Sequence, residues 1–354
     1  MRIGNAGCPL FARLCLAWAG LEVTVLLNAK ITAVAHHLPA KVVTNLDLEK
    51  KLDTTDEWIR TRTGIRERRM AAKGEASSDL AAAAARKVLQ QRGIPASEID
   101  CIIVATVTPD MFFPSTACVL QDKIGASRAW GFDLSGACAG FLFAVSTAAQ
   151  FIHSGAHDKV LVVGADVMTS ILDPTDRNTY VLFGDGAGAV LMEPTKPDEK
   201  GVLDFVLRCD GSGGKYLCMP GGGSLHPATH KSVDRKMHFV HQDGRAVFKA
   251  AVQGMADVSV EILSRNNLTA SDISLFVPHQ ANLRIIDAAA ERLGIDSSRV
   301  VRNIDLYANT TAATIPIGIS ESYQQGRLQR GDLLLMASFG AGFTWGSVLV
   351  QWSL

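Results

Sequence analysis

The sequence predicts a duplicated α/β protein in which strands and helices alternate in layers, and three observations carry that prediction. Lys159-Val160-Leu161-Val162-Val163 and Asp332-Leu333-Leu334-Leu335-Met336 are continuous apolar runs, the pattern of parallel strands buried on both faces. Helical stretches alternate with such runs along the chain. The pattern also repeats. Ile94 to Asp100, feeding the run Cys101 to Ala105, is echoed by Leu268 to Ile273, feeding Leu275-Phe276-Val277, with Ser97 and Ser271 174 residues apart (271 − 97). Phe132-Asp133-Leu134 is echoed by Ile304-Asp305-Leu306 at 172 residues (305 − 133), and Lys159 by Asp332 at 173 (332 − 159). Three matches at nearly one offset indicate two copies of one unit.

In chain order, Leu14 to Leu21 is an apolar run behind Arg13, too short to span a bilayer and without a clear small-residue cleavage site. Residues 1–28 are therefore read as an N-terminal extension, disordered or outside the native chain. Folded sequence begins near Ala29, where Lys30 to Ala35 reads as a strand. Ser77-Ser78-Asp79 are good N-cap residues for an Ala-rich helix that runs through Leu89 and stops near Gly93. Trp130 to Leu134 reads as a strand, and Ala139 to Ile152 as the apolar helix after a Ser135-Gly136-Ala137 turn. The charged, Pro-containing join Glu193 to Lys200 separates a first half, 29–200, from a second, 201–354.

Composition excludes several classes. With 47% hydrophobic and 20% charged residues the chain can build a large core and is not a disordered one. Lys+Arg and Asp+Glu both number 35, and no basic run replaces the missing net charge, so nucleic acid is excluded as a partner. No membrane association is expected either. The seven cysteines, Cys8, Cys15, Cys101, Cys118, Cys138, Cys209 and Cys218, are odd in number and too sparse for a disulfide framework. Reduced thiols and a cytoplasmic location follow. No CxxC pair is present, and His226, His230, His238 and His241 sit near Gly221-Gly222-Gly223 and Pro227, a setting for solvated histidines rather than a metal.

Ligands in such sheets gather at the carboxyl ends of strands. Cys138 follows a strand and a tight turn at a helix start, where free N–H groups and the helix dipole favour thiolate and lower its pKa. Gly136, Ala137, Ala139 and Gly140 leave room for an approaching substrate. The alternative is an inert buried thiol, the reading given to Cys101 and Cys118. His279 follows the strand ending at Val277, within Pro278-His279-Gln280-Ala281-Asn282. Asn309 occupies nearly the duplicated counterpart of Cys138; an ordinary N-cap is its other reading. Ser338 to Gly346 is a small-residue turn that either presents a main-chain N–H to a reacting atom or is only a tight connection.

Ala137-Cys138-Ala139-Gly140-Phe141, Val277 to Arg284, Asn309-Thr310-Thr311-Ala312-Ala313 and Phe339 to Gly346 resemble the beta-ketoacyl-acyl-carrier-protein synthase III family, the initiating condensing enzymes of type II fatty-acid synthesis. Asp53 to Ile59, Thr61 to Arg68, Asp173 to Arg177 and Phe183 to Gly188 fit the same family, so the resemblance runs from about Ala29 to the C-terminus. It implies a thiolase-like duplicated layered αβαβα fold and an acyltransferase of the EC 2.3.1 class. A short acyl-CoA, typically acetyl-CoA, would acylate Cys138; malonyl-acyl-carrier-protein would then decarboxylate and condense in a ping-pong sequence. His279 and Asn309 would stabilise the enolate, and the N–H groups of Cys138 and Ala341, where the family often has Gly, would form the oxyanion hole.

The resemblance further implies that Trp58 and Arg177 sandwich the CoA adenine, with Arg62 at its polar tail and Asn282 at pantetheine. Phe113 would close the acyl pocket of the partner in a homodimer, and Lys249 and Arg284 would dock the acidic carrier protein. No cofactor or metal is implied, acyl-CoA being a substrate. Between Asp210 and Phe248 the chain is longer than the family pattern, with Arg245 where Asn is frequent. That departure keeps two alternatives in view: a condensing enzyme of secondary metabolism using longer or branched starters, and a catalytically silent paralogue. A degradative thiolase is disfavoured, because no second cysteine follows Cys218 to act as acid and base.

Overall fold

The computed structural model of the protein describes residues 28–354; the reading of residues 1–28, Asn28 apart, lies outside the described residues. The chain opens with β1 (Ala29–His37) and β2 (Lys41–Thr44), then the short helices α1 (Asn45–Glu49) and α2 (Asp56–Thr63), and β3 (Glu67–Met70). There follow α3 (Ser77–Arg92), β4 (Cys101–Ala105), α4 (Thr116–Ile124), β5 (Trp130–Leu134), α5 (Gly140–His153), β6 (Val160–Asp166) and β7 (Gly186–Pro194). After a connecting loop come β8 (Val202–Cys209), β9 (Leu217–Cys218), α6 (His230–Asp234), β10 (His241–Gln242), α7 (Gly244–Arg265), β11 (Leu275–Pro278) and α8 (Leu283–Leu293). The chain ends with α9 (Ile304–Tyr307), α10 (Thr314–Gln324), β12 (Leu333–Gly340) and β13 (Thr344–Gln351).

Five strands form one sheet in the order β1-β7-β6-β4-β5, and four form another, β11-β12-β13-β8. Both are mixed rather than wholly parallel. β4 pairs parallel with β5 and β6, and β11 with β12, whereas β7 and β13 run antiparallel to both of their neighbours. The apolar runs are explained by burial on both faces. Along β4, Cys101, Ile103 and Ala105 face a central core while Ile102 and Val104 face an outer one. Phe141 and Val145 of α5 and Ile315 and Ile319 of α10 fill the central core between the sheets, against Val162 of β6 and Met336 of β12. α3 and α4 cover the outer face of the first sheet through Leu80, Val88 and Leu120; α7 and α8 cover that of the second through Met255, Ile262 and Ile286. The layers run helix, sheet, helix, sheet, helix.

Elements repeat at the offset that the sequence displays. The turn Ala96–Glu98 before β4 corresponds to Ala270–Asp272 before β11, 174 residues on (270 − 96), and the starts of α5 and α10 are also 174 apart (314 − 140). The 3₁₀ turn Ala137–Ala139 corresponds to Thr311–Ala313, and each opens on a left-handed residue, Ala137 (φ 46) and Thr311 (φ 52). The counterpart of Cys138 is therefore Ala312; Asn309 lies three residues earlier, which corrects the alignment suggested by sequence.

Two local readings are also corrected. α3 has Ala76 as its N-cap residue, whose N–H donates to Asp79 Oδ2 at 3.0 Å, while the hydroxyls of Ser77 and Ser78 bond to Thr108 and Asp110. The serines tie the helix to the loop after β4 instead of capping it. Cys101 is buried, but Cys118 is exposed on α4.

The two repeats meet at Asp166, the last residue of β6, which is fully buried. One carboxyl oxygen accepts from Thr106 Oγ1, Thr108 Oγ1 and the N–H groups of Val107 and Thr108; the other accepts from Thr311 Oγ1 and Ala312 N–H of the other repeat. Gly164 lets this contact close, since a Cβ there would stand 2.4 Å from Ala312 O. Gly164→Ala is expected to cost about 1–3 kcal/mol as an overpacked site. A urea titration reads this as a lowered midpoint, with Gly211→Ala, which meets nothing within 4 Å, as the near-silent control.

Candidate active site

Cys138 sits in the 3₁₀ turn between β5 and α5 and is held from the second repeat. Ser338 Oγ donates to Cys138 O at 2.7 Å, and Thr344 Oγ1 donates to Gly136 O at 2.8 Å. Gly340 packs so tightly that a Cβ would lie 2.7 Å from Cys138 N, which is why β12 ends on glycine here. His279 follows β11, its N–H donating to Ala337 O at 2.8 Å. Its Nδ1 lies 2.7 Å from Thr314 Oγ1, while Nε2 is buried without a hydrogen-bond partner. Asn309 Oδ1 accepts from Thr311 N–H at 2.8 Å, but the N-cap of the 3₁₀ turn is Thr310, one residue later than the sequence suggests; the amide N–H₂ of Asn309 is the end left for a ligand.

Cys138, His279 and Asn309 line one cavity of about 560 Å³, together with Trp58, Arg62, Phe248 and Asn282. An apolar branch of about 140 Å³ leads from Cys138 between Val107, Met168, Phe183, Leu217, Met219, Val240 and Ala341. Ala341 needs no glycine: the left-handed residue of its turn is Gly342 (φ 136). The segment after Asp210 supplies walls to both spaces, including Lys215, Leu217 and His241.

Burial governs the charge state. It pushes the Cys138 thiol up to about 12, with the nearby Asp166 carboxyl adding to the effect and the Cys138 backbone N–H opposing it. The lowered thiol pKa anticipated from the helix start is thus opposed by burial of the sulfur at the seam with the second repeat. Burial likewise lowers His279 to about 3. The resting pair is a neutral thiol beside a neutral imidazole. Burial also raises Asp166, opposed by the donors that surround it.

Of the remaining sequence candidates, Trp58 lies under two guanidinium groups, Arg62 at 4.6 Å and Arg177 at 5.4 Å from its ring centroid. Arg177 also donates to Asp53 O. A ring inserted between Trp58 and Arg177 needs about 7 Å, two contacts of 3.5 Å, so a sandwich there requires Arg177 to move outward. Asn282 caps α8, accepting from Arg284 N–H and donating to Arg62 O at 3.0 Å. Lys249 and Arg284 are exposed on α7 and α8, Arg284 lying 5.0 Å from the Phe248 centroid. Phe113 is 84% exposed and lines neither cavity. Sequence reasoning missed Thr314 and Asp166, and it gave no role to Ser338 or Thr344. Among the described residues no group of three or more His, Cys, Asp or Glu is placed to hold a metal, and no helix is long and apolar enough to cross a membrane.

Residues 132–211 match the family described as 3-Oxoacyl-[acyl-carrier-protein (ACP)] synthase III, and residues 263–352 its C-terminal part. The chain is 57% identical to the Beta-ketoacyl-[acyl-carrier-protein] synthase III of Chlorobium phaeovibrioides, covering 92% of this chain and 100% of that one. Of solved structures, 3-oxoacyl-[acyl-carrier-protein] synthase III from Aquifex aeolicus VF5 matches with a TM-score of 0.85 at 42% identity, over 92% and 100% of the two chains. The priming beta-ketosynthase from the R1128 polyketide biosynthetic pathway matches with a TM-score of 0.86 at 35% identity, over 95% and 99%. The layered duplication is that of the thiolase-like condensing acyltransferases. Within them, the chain belongs to the beta-ketoacyl-[acyl-carrier-protein] synthase III family.

The buried imidazole carries a pH signature. With its pKa lowered from 6.5 to about 3, folded His279 binds fewer protons than unfolded His279 between those values. Its contribution to stability is complete above 6.5 and is lost as pH falls toward 3. The wild type is therefore expected to lose stability relative to His279→Gln as pH drops below 6.5, read from urea midpoints across the range.

Proposed function

We propose that Cys138 is acylated by a short acyl-CoA, acetyl-CoA first among them, and that the acyl-enzyme condenses with malonyl-acyl-carrier-protein to give 3-oxoacyl-acyl-carrier-protein. The observation that carries this reading is one cavity lined by thiol, imidazole and carboxamide, opening toward Trp58 and Arg62. In the first half-reaction Sγ attacks the thioester carbonyl, a new C–S bond forms, and the C–S bond to CoA breaks. The N–H groups of Cys138 and Ala341 are the donors assigned to the oxyanion. In the second, the malonyl C–CO₂ bond breaks and its electron pair becomes an enolate, which accepts from His279 Nε2–H and Asn309 Nδ2–H. The enolate carbon attacks the acyl-cysteine and expels Sγ, which is reprotonated.

CoA is placed with its adenine against Trp58 and Arg177, its polar tail at Arg62 and its pantetheine at Asn282. Lys249 and Arg284 flank the mouth as cations for an acidic carrier protein, a local patch that overall neutrality permits. The enzyme takes no resident metal or cofactor, binds neither nucleic acid nor membrane, and works in the cytoplasm as a homodimer built from the halves 29–200 and 201–354. Support for the dimer comes from β5, an edge strand whose exposed Trp130 stacks on Phe132 at 5.8 Å, and from exposed Phe112 and Phe113. Phe113, idle in its own protomer, is assigned to the partner's acyl branch.

One observation favours a second reading, a priming synthase of secondary metabolism: the chain is similar to the R1128 enzyme, and the segment after Asp210 lines the acyl branch. A primer series assayed with malonyl-acyl-carrier-protein separates the two, a preference for longer or branched primers favouring the second.

Intact mass after incubation with acetyl-CoA tests the central step. The wild type is expected to gain one acetyl group and Cys138→Ser none, since a hydroxyl is a weaker nucleophile than a thiol and gives up its proton less readily. A wild type that gains nothing refutes the reading. Asn309→Ala is expected to retain acetylation while condensation falls roughly 10²–10³-fold, the usual loss for a removed oxyanion donor. Sedimentation velocity is expected to show a dimer of this 37.8 kDa chain; a monomer overturns the assignment of Phe113.

A further inference from the structure

The proposed ping-pong sequence leaves one matter open: where the proton of Cys138 goes, and where the proton that the whole reaction consumes comes in. His279 Nε2 serves for both only if it is bare in the free enzyme. The other ring nitrogen decides that, because a neutral imidazole carries one hydrogen. Nδ1 faces Thr314 Oγ1 at 2.7 Å, and Thr314 Oγ1 in turn lies 3.1 Å from Thr311 O. Both side chains are buried, His279 at 1% and Thr314 at 2% exposure, so water does not rearrange this chain of contacts. A carbonyl oxygen only accepts. Thr311 O also accepts the Thr314 backbone N–H, and both side-chain contacts are hydrogen bonds together only when the Thr314 hydroxyl hydrogen points to Thr311 O, so that Thr314 Oγ1 meets the ring as an acceptor and His279 donates Nδ1–H. Nε2 then holds a lone pair, and it is the atom found buried without a partner.

We propose that Thr314 is a positioning residue that holds His279 as the Nδ1–H tautomer, so that Nε2 is the proton acceptor for Cys138 in acyl transfer and the port of entry for the proton consumed in condensation. The inference rests on the acyl-transfer reading given above. In the first half-reaction the S–H bond of Cys138 breaks as the new C–S bond forms; the proton passes to Nε2 and on to the departing CoA thiolate, giving CoA-SH and a bare Nε2 again. In the second, a proton from solvent reaches Nε2 through the open cavity, donates to the enolate oxygen while the C–C bond forms, and ends on the expelled Cys138 sulfur. The balance is acyl-CoA plus malonyl-carrier-protein plus one proton, giving 3-oxoacyl-carrier-protein, CO₂ and CoA-SH. Thr314 accepts from Nδ1–H throughout.

The test uses the full chain with ¹⁵N-labelled histidine, the His279 resonances being assigned by their absence in His279→Gln. The free wild type is expected to show a protonated Nδ1 and a bare Nε2. Thr314→Val, which keeps the shape and removes the acceptor, is expected to mix the tautomers and to slow single-turnover acetylation by acetyl-CoA roughly ten- to hundredfold. Thr314→Ser is expected to restore both spectrum and rate. A wild-type spectrum with Nε2 protonated and Nδ1 bare overturns the proposal, as does a Thr314→Val enzyme whose tautomer and acetylation rate match the wild type. Should Thr314→Val not fold, the wild-type spectrum still decides. Failure of wild-type acetylation refutes the acyl-transfer reading instead, and leaves the spectrum free to report the tautomer.

Discussion

A buried carboxyl at the seam between two copies of one unit fixes where everything else stands. Asp166 closes the end of β6 with donors from its own sheet and then reaches across to Thr311 and Ala312. Taking a carboxyl out of water costs several kcal/mol, which only this density of donors offsets. The bond to Thr311 coincides with its left-handed backbone (φ 52), and that conformation turns the chain so that Asn309 precedes the 3₁₀ turn and Thr314 follows it. Asn309 and Thr314 thus owe their places to a group that touches neither. The Cys138 turn is fixed reciprocally, by Ser338 and Thr344 from the opposite repeat.

Sealing the seam also decides the chemistry. A helix dipole contributes roughly 0.3–1 kcal/mol to an anion at its N-terminus. Displacing the thiol pKa from 9.0 to about 12 corresponds to roughly 4 kcal/mol in the other direction, so burial wins over the dipole. The same dryness keeps His279 neutral. Charge therefore forms at this site only in company with substrate, when thioester, CoA thiolate or malonyl carboxylate shares the cavity. Donors held rigid in a water-poor space act more strongly on a developing enolate than the same donors in water, and the resting enzyme carries no unpaired ion to stabilise.

The repeat was legible because strands buried on both faces leave continuous apolar runs, and Cys101 to Ala105, Trp130 to Leu134 and Leu275 to Val277 all lie in observed strands or at their cores. What the sequence hid was whatever depends on a distant partner. Ser77 and Ser78 have the chemistry of caps, yet their hydroxyls found Thr108 and Asp110. The helix-start argument for Cys138 was local, and the burial that defeats it arrives from residues two hundred positions away. Thr314 stands one residue beyond the Asn309 to Ala313 segment that drew notice, and only its meeting with His279, 35 residues earlier, gives it a task. Cys118 was read as inert core, but a nine-residue helix on an outer layer has a solvent face, and that is where it lies.

The repeat further separates scaffold from selectivity. β1 corresponds to β8 and α3 to α7, so the stretches between them, 38–76 and 210–243, occupy the same place in the two copies. They share no pattern. The first folds into β2, β3, α1 and α2 and brings Trp58, Arg62 and Thr63 to the cavity; the second brings Lys215, Leu217 and His241, and also Met219 and Val240 to the apolar branch. Sheets and central helices are constrained by packing on both faces, where a change of one methylene is felt. These insertions are constrained on one side only. Duplication has thus supplied two equivalent positions at the cavity where chain can lengthen without disturbing the core: one is given to the end where we place CoA, the other to the end where we place the acyl chain. The segment 210–243 can therefore vary beside the apolar branch while leaving the thiol, imidazole and carboxamide where the seam holds them.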